Sequence, residues 1–238
     1  MTDIADILKK PEDIKFAFQP VVHADTGEIY GYEALMRPAP FSPLDVVDYC
    51  IKSDQIDVLE EITMLYSIKA FLNNDLEGKI FINSFPGACM SEEFSTIWLE
   101  EVGWKIAGRI VLEMLEYTEL DIHAWQRKLE EFERGNEGTG NKSNIAIDDY
   151  GVDREVDLAR IDLYHPTMIK IDRSLVSNID SDVEKQDKVL NIIKLMKEKD
   201  ILILAEGIET KAEYEYFSNL PIDFMQGYYI QKPKIFEN

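Results

Sequence analysis

Short apolar runs that stop abruptly at an oxygen-bearing side chain recur along this chain. Lys79-Ile-Phe-Ile-Asn83 ends in an amide, and Arg109-Ile-Val-Leu-Glu113 ends in an acid. Asn144-Ile-Ala-Ile-Asp148 ends in an acid that a second, Asp149, follows at once, before Gly151 breaks the run. Met168-Ile-Lys170-Ile-Asp172, Ile201-Leu-Ile-Leu-Ala-Glu206 and Phe224-Met-Gln226 complete the series. Each reads as a short strand whose side chains alternate between two sides. Helix-like stretches separate most of them, and strand–helix alternation with short links means parallel strands.

The earlier part of the chain breaks that rhythm. Phe16 to Val22 and Ile29 to Leu35 read as strands around the turn Asp25-Thr-Gly-Glu28, a link too short to join anything but antiparallel neighbours. Helices are expected from Ser42-Pro43, over Ile56–Asn73, Ser91–Val102, Asp121–Arg134, Arg154–Tyr164 and Asp182–Lys199, and after the capping box of Thr210 and Glu213. The loop Gly135–Asn141 is glycine-rich, but it precedes a strand and lacks Gly-Lys-Ser/Thr, so it is a surface turn and not a phosphate loop. The expected fold is α/β: a (β/α)8 TIM-like barrel with the first strand antiparallel to the rest. It forms a single domain over residues 1–238, with residues 1–13 as a helical extension and 14–233 as the barrel.

Charge narrows the partners. A net charge of −21 repels DNA, RNA and anionic membrane, and any anionic substrate then needs a local inversion of sign. Cys50 and Cys89 form neither a metal-ligand spacing nor a disulfide framework, which fits a reducing cytosol. The first residues carry no basic, apolar leader pattern, and no run is long enough to cross a bilayer, so a cytoplasmic location is expected.

In such barrels catalytic groups sit at the C-terminal ends of strands. Glu33, Asn83, Glu113, Asp148, Asp149, Lys170, Glu206 and Gln226 would then ring one mouth. Two adjacent carboxylates repel and are costly to desolvate, and a cation relieves both problems; the plainer reading of Asp148-Asp149 is a helix N-cap beside a solvated acid. The set holds no Cys or His, so its hard oxygen ligands point to Mg2+ or Mn2+. It has more acids than one ion needs, and two ions roughly 3.5–4 Å apart, a recurring device for phosphodiester hydrolysis, fit better. Lys170 would steer a water or neutralise a phosphate oxygen; alternatively it is an interior lysine paired with Asp172. A Mg2+-dependent barrel lyase with Lys170 as base would use a similar set.

At these residues the chain resembles the EAL-domain phosphodiesterases that hydrolyse cyclic di-GMP. The signature stands as Tyr32-Glu33-Ala34-Leu35-Met36-Arg37, preceded by Gln19-Pro20-Val21-Val22. Asn83-Ser84, Glu113-Met-Leu-Glu116, Asp148-Asp149-Tyr150-Gly151, Lys170-Ile-Asp172, Glu206-Gly-Ile-Glu209-Thr210 and Gln226-Gly-Tyr228 follow in the family's order. The resemblance implies hydrolysis of cyclic di-GMP to linear pGpG with two Mg2+ or Mn2+ ions. Glu33, Asn83, Glu113 and Asp148 would hold one ion, and Asp148, Asp149 and Glu206 the other. Lys170 would orient the attacking water, Glu206 is also a candidate general base, and Gln226 would bond metal-bound waters. Gln19, Leu35 and Arg37 would contact the substrate, Arg37 through a phosphate. Glu116 and Glu209 would steady the loops of the metal site. A homodimer is the implied assembly.

One segment departs from the family. Where it usually runs Phe-Gly-Thr-Gly-Tyr-Ser-Ser after the double aspartate, this chain has Tyr150-Gly-Val-Asp-Arg-Glu-Val156. An altered loop there leaves two expectations: aspartates in place beside an unusual interface, or Asp149 swung away in a cyclic di-GMP receptor or scaffold that no longer cuts.

Overall fold

The structure is a computed structural model that describes residues 3–115, 121–135 and 144–236. Helix α1 (Ile4–Leu8) precedes the paired strands β1 (Lys15–His23) and β2 (Ile29–Arg37). Helices α2 (Pro43–Lys52) and α3 (Ile56–Asn73) lead to β3 (Lys79–Ser84), and α4 (Glu92–Ile97) and α5 (Gly103–Ile106) to β4 (Ile110–Met114). Helix α6 (Ile122–Gly135) precedes β5 (Asn144–Tyr150), which α7 (Arg154–Tyr164) connects to β6 (Met168–Ile171). Helices α8 (Arg173–Val176) and α9 (Val183–Glu198) then precede β7 (Leu202–Ala205), and α10 (Lys211–Ser218) precedes β8 (Phe224–Met225).

The strands hydrogen-bond in chain order, β1 to β8, and the sheet closes into a barrel. β1 runs antiparallel to β8, with Val22 opposite Met225. The pairs β3–β4, β5–β6, β6–β7 and β7–β8 are parallel. β4 and β6 are buried at every position, which is why their sequences read as unbroken apolar runs. The caps follow the local chemistry. Ser42 accepts from the Asp45 N–H with Pro43 in the first turn of α2, and Thr210 and Glu213 form the reciprocal box of α10. Among the described residues no helix is long and apolar enough to cross a membrane.

The chain divides into two compact units, one of residues 1–18, 34–143 and 234–238, the other of residues 19–33 and 144–233. In the first, Phe18 packs on Phe71 with ring centres 6.0 Å apart, and Trp98 meets Phe132 edge-on at 4.9 Å. It also buries an ion pair completely. Lys128 Nζ lies 2.6 Å from Glu60 Oε1 and donates to Ser84 Oγ at 3.1 Å and to the Phe85 carbonyl at 2.7 Å. Glu60 in turn accepts from the Ser84 hydroxyl at 2.6 Å and the Phe85 N–H at 2.9 Å. In the second unit Tyr30 stacks on Phe224 at 4.1 Å and the half-buried His23 packs against both rings.

Two elements differ from the sequence expectation. The helix expected over Ser91–Val102 runs on to Ile106 in pieces, because Trp98–Val102 winds as a π-turn between α4 and α5. Gly103 closes that turn, where a Cβ would stand 2.9 Å from the Trp98 carbonyl oxygen. Helix α8 was not expected: four residues offer no periodicity, and it forms because Asp172 caps it by accepting from the Ser174 N–H. Residues 136–141 of the glycine-rich turn lie outside the described residues.

Candidate metal centre

The second unit gathers Glu33, Asp148, Asp149, Lys170, Glu206 and Gln226. Glu206 and Gln226 stand just past the ends of β7 and β8, Asp148 and Asp149 lie in the last three residues of β5, Glu33 lies within β2, and Lys170 is the third residue of β6. One carboxylate oxygen each from Asp148, Asp149 and Glu206 can be chosen so that all three lie within 4.8 Å of one another, close enough to share a cation. Lys170, only 1% exposed, places Nζ 2.8 Å from Asp148 Oδ1, 3.0 Å from Glu206 Oε2 and 3.8 Å from Glu33 Oε2. These three acids are among its partners. The Asp172 carboxylate, the other partner the sequence offered, accepts from the Ser174 N–H at the start of α8. The N-cap reading of Asp148-Asp149 is superseded: the cap of α7 is Asp153, which accepts from the Glu155 and Val156 N–H groups.

Several backbone devices bring these groups together. The β5–β6 register shifts between Ile147 and Tyr150, so Asp148 and Asp149 sit on an irregularity of the strand, and Asp149 takes the left-handed conformation at φ +53°. Bulges of this kind re-aim side chains beside functional sites. Gly151 follows at φ +108°, and a Cβ there would stand 2.5 Å from Leu175 Cδ1. On the far side, Gly227 lets two loops meet. A Cβ at this position would come within 2.0 Å of the Ile208 carbonyl oxygen and 2.3 Å of its nitrogen. The Ile208 N–H donates to the Gln226 carbonyl, and the Tyr229 N–H to the Ile208 carbonyl. The residues that follow Glu206 and those that follow Gln226 are thereby locked into one block.

The electrostatics favour a cation. Four carboxylates, those of Glu33, Asp148, Asp149 and Glu206, face one ammonium. Loss of solvent pushes Glu206 up from 4.5 to about 8; the Asp148 and Glu33 charges add to the rise, and Lys170 opposes it. Asp149 rises from 3.8 to about 6 through partial loss of solvent, then the charges of Asp148 and Asp172, and it shares a hydrogen bond with the Asp172 carboxylate. Gln226 donates Nε2–H to Glu33 Oε2 at 2.6 Å. Its amide oxygen is buried and has no hydrogen-bond partner among the described residues. An orphaned buried oxygen of this kind is a place for a ligand or a water. The donor set, all oxygen and mostly anionic, fits a hard divalent ion.

The other expected residues lie as follows. Asn83 and Glu113 are register partners on β3 and β4 of the first unit, with Glu113 fully buried. Leu35 and Arg37 also belong to that unit; Arg37 donates to the Met36 carbonyl at 2.9 Å. Gln19 is buried in the second unit and donates Nε2–H to the Gln231 carbonyl at 3.2 Å. Glu209 pairs with Arg173 at 2.8 Å, and its N–H donates to Glu213. Glu116 lies outside the described residues. Four residues that sequence reasoning passed over are the buried charges Glu60, Lys128, Asp157 and Arg160. Lys128 was legible in principle: it falls on the apolar stripe of α6 that Ala124, Trp125 and Phe132 define.

Comparison with known proteins places this arrangement. A family model described as the EAL domain matches residues 5–233. Over 229 residues the chain is 28% identical to the probable cyclic di-GMP phosphodiesterase PdeG of Escherichia coli, covering 91% of this chain and 44% of that protein. It is 25% identical to the cyclic di-GMP phosphodiesterase PdeL of the same organism, covering 90% of this chain and 61% of that one. It therefore spans less than two thirds of these relatives. Among solved structures, a standalone EAL protein from Vibrio cholerae in its c-di-GMP-bound form is 28% identical, with a TM-score of 0.73, over 94% of this chain and 93% of that one. An EAL domain protein from Listeria monocytogenes shares the fold with a TM-score of 0.77 at 21% identity, over 98% and 92% of the two chains.

Proposed function

The chain belongs to the EAL domain family, and on that premise we propose that it is a metal-dependent phosphodiesterase that opens cyclic di-GMP to linear pGpG. The observation that carries the reading is the packing of Asp148, Asp149 and Glu206 within 4.8 Å around one buried lysine. Relatives named as cyclic di-GMP phosphodiesterases and a similar protein solved with c-di-GMP support the choice of substrate.

In this reading Asp148, Asp149 and Glu206 would hold one divalent ion, Mg2+ or Mn2+, and Asp148 and Glu33 would contribute to a second. Asn83 and Glu113 join the ligand set on the strength of the resemblance. Bound ions supply Lewis acidity and a water acidic enough to attack near neutral pH. Lys170 offsets the mutual repulsion of Asp148 and Glu206 and would orient the attacking water. The Gln226 amide oxygen would accept a hydrogen bond from a water in the loaded site, while its nitrogen fixes Glu33. Arg37, Gln19 and Leu35 seat the dinucleotide, Arg37 by matching phosphate geometry, and Glu209 steadies the loop after Glu206 through Arg173. The altered loop supports the catalytic reading over the receptor one. Its Asp153 starts α7, and Asp149 remains beside Asp148 and Glu206.

The test is product analysis after incubation with cyclic di-GMP and Mn2+. Linear pGpG that disappears with EDTA and in Asp148→Asn supports the proposal. Tight binding of the dinucleotide with no product would make the protein a receptor.

A further inference from the structure

Helix α7 carries two charged residues that are almost completely buried, Asp157 at 2% exposure and Arg160 at 7%. They lie three apart, and so on one face of the helix. Both engage backbone on either side of Asp149. Arg160 Nη1 donates to the Asp148 carbonyl oxygen at 2.9 Å, and Asp157 Oδ2 accepts from the Gly151 N–H at 2.8 Å.

The segment they grip needs holding. Ladder pairing to β6 is regular at Ala146 and Ile147, is lost at Asp148 and Asp149, and resumes at Tyr150 opposite Ile171. Within the gap, Asp149 occupies a left-handed conformation that disfavours a residue with a Cβ. Left to itself, such a stretch would relax toward regular strand and turn both carboxylates. An apolar pair on α7 would bury as well or better, since charges are costly to desolvate. What Asp157 and Arg160 add is an acceptor and a donor that tie down the backbone, one on each side of the strained residue.

We propose that Asp157 and Arg160 are positioning residues that set the direction in which Asp148 and Asp149 present their carboxylates to a divalent cation. The inference rests on the reading of these two aspartates as metal ligands. Their proposed action is through the backbone that they hold at Asp148 and Gly151.

The experiment measures Mn2+ binding to the whole protein by calorimetry, with Mn2+ alone as the probe, beside thermal unfolding of each variant. Arg160→Met and Asp157→Leu remove the grip. Asp157→Asn keeps an oxygen that accepts from the Gly151 N–H, and serves as the rescue. Outer groups that orient metal ligands are worth about 10–100-fold in metal affinity, so a loss of that size is expected in folded Arg160→Met and Asp157→Leu, with Asp157→Asn within about threefold of wild type on the same scale. Activity should follow, with kcat reduced and KM for cyclic di-GMP little changed. If Arg160→Met does not fold, the Asp157→Leu and Asp157→Asn pair decides. Wild-type Mn2+ affinity in a folded Arg160→Met or Asp157→Leu, while Asp148→Asn abolishes binding, overturns the positioning role and leaves the metal site standing. Failure of Asp148→Asn to weaken Mn2+ binding overturns both.

Discussion

Replacing Lys128 with methionine keeps the length and most of the volume of the side chain but removes its charge and its donors. Three acceptors lose a partner: Glu60 Oε1, Ser84 Oγ and the Phe85 carbonyl. Ser84 still donates its hydroxyl to Glu60, and the Phe85 N–H still reaches the carboxylate, so the anion keeps two hydrogen bonds but no counter-charge. A hydrogen bond to a charged group contributes about 1.5–3 kcal/mol, and leaving a buried acceptor empty costs about 1–3 kcal/mol. These overlap in one site, and breaking a buried pair by removing one partner costs about 3–5 kcal/mol in all. For a chain of this length each kcal/mol lowers Tm by about 2–4 °C, so a fall of about 6–20 °C is expected. Urea titration followed by circular dichroism gives the free energy, and a cycle with Glu60→Gln isolates the coupling. In the double variant the uncompensated charge is gone, so it should be more stable than Lys128→Met alone. A single Lys128→Met that loses less than about 1 kcal/mol would refute the reasoning, because the carboxylate would then have found water or another partner.

Other outcomes follow from the site. Lys170→Ala should abolish turnover while cyclic di-GMP still binds, read by product analysis beside equilibrium binding; a near-wild-type rate would remove the lysine from the mechanism. The metal-free protein should lose stability as pH rises from about 4 toward 8, because Asp149 and Glu206, at about 6 and about 8, keep protons in the fold that the unfolded chain has already released. Glu206→Gln should flatten that slope in thermal melts. Mn2+ reverses the preference by favouring the ionised carboxylates, so its binding should release protons and tighten with pH, seen by calorimetry in buffers of different ionisation heat. Gly227→Ala should cost at least about 3 kcal/mol or prevent folding, since the added carbon collides with backbone and not with a side chain that can move. Cys50, buried and pushed up to about 11, should resist a thiol reagent in the folded protein that labels the partly exposed Cys89.

Much of the fold could be read from the sequence because its signals are local. The span Ile56–Asn73 is the helix its pattern predicts, Arg154–Tyr164 likewise, and the apolar runs from Lys79 onward are the strands. The ends of those runs pointed to the site for the same reason: a polar residue closing a buried strand has few other places to go. What could not be read depends on contacts distant in sequence. Nothing near Lys170 says whether it meets Asp172, two residues on, or Asp148 and Glu206, which β5 and β7 deliver from either side. The spacing of Asp148-Asp149 suits a helix cap as well as a ligand pair; only the placement of Asp153 at the start of α7 decides between them. The exposure of a charge is likewise invisible locally, so Asp157 and Arg160 read as solvated helix residues until the strand beside them is known.

The Lys170 ammonium has a consequence for how the protein matures. It is a cation that the polypeptide carries from synthesis, already seated among carboxylates that would otherwise drive one another apart. On the proposed metal reading, the chain would finish folding before any ion binds, unlike small zinc domains whose structure waits on the metal. Loading would then be a late and reversible event on a finished scaffold. A chelator should then silence the protein without unfolding it, and returning the ion should restore activity at the speed of binding rather than of refolding. Metal supply in the surroundings could in this way set the fraction of working molecules while leaving their number and lifetime unchanged.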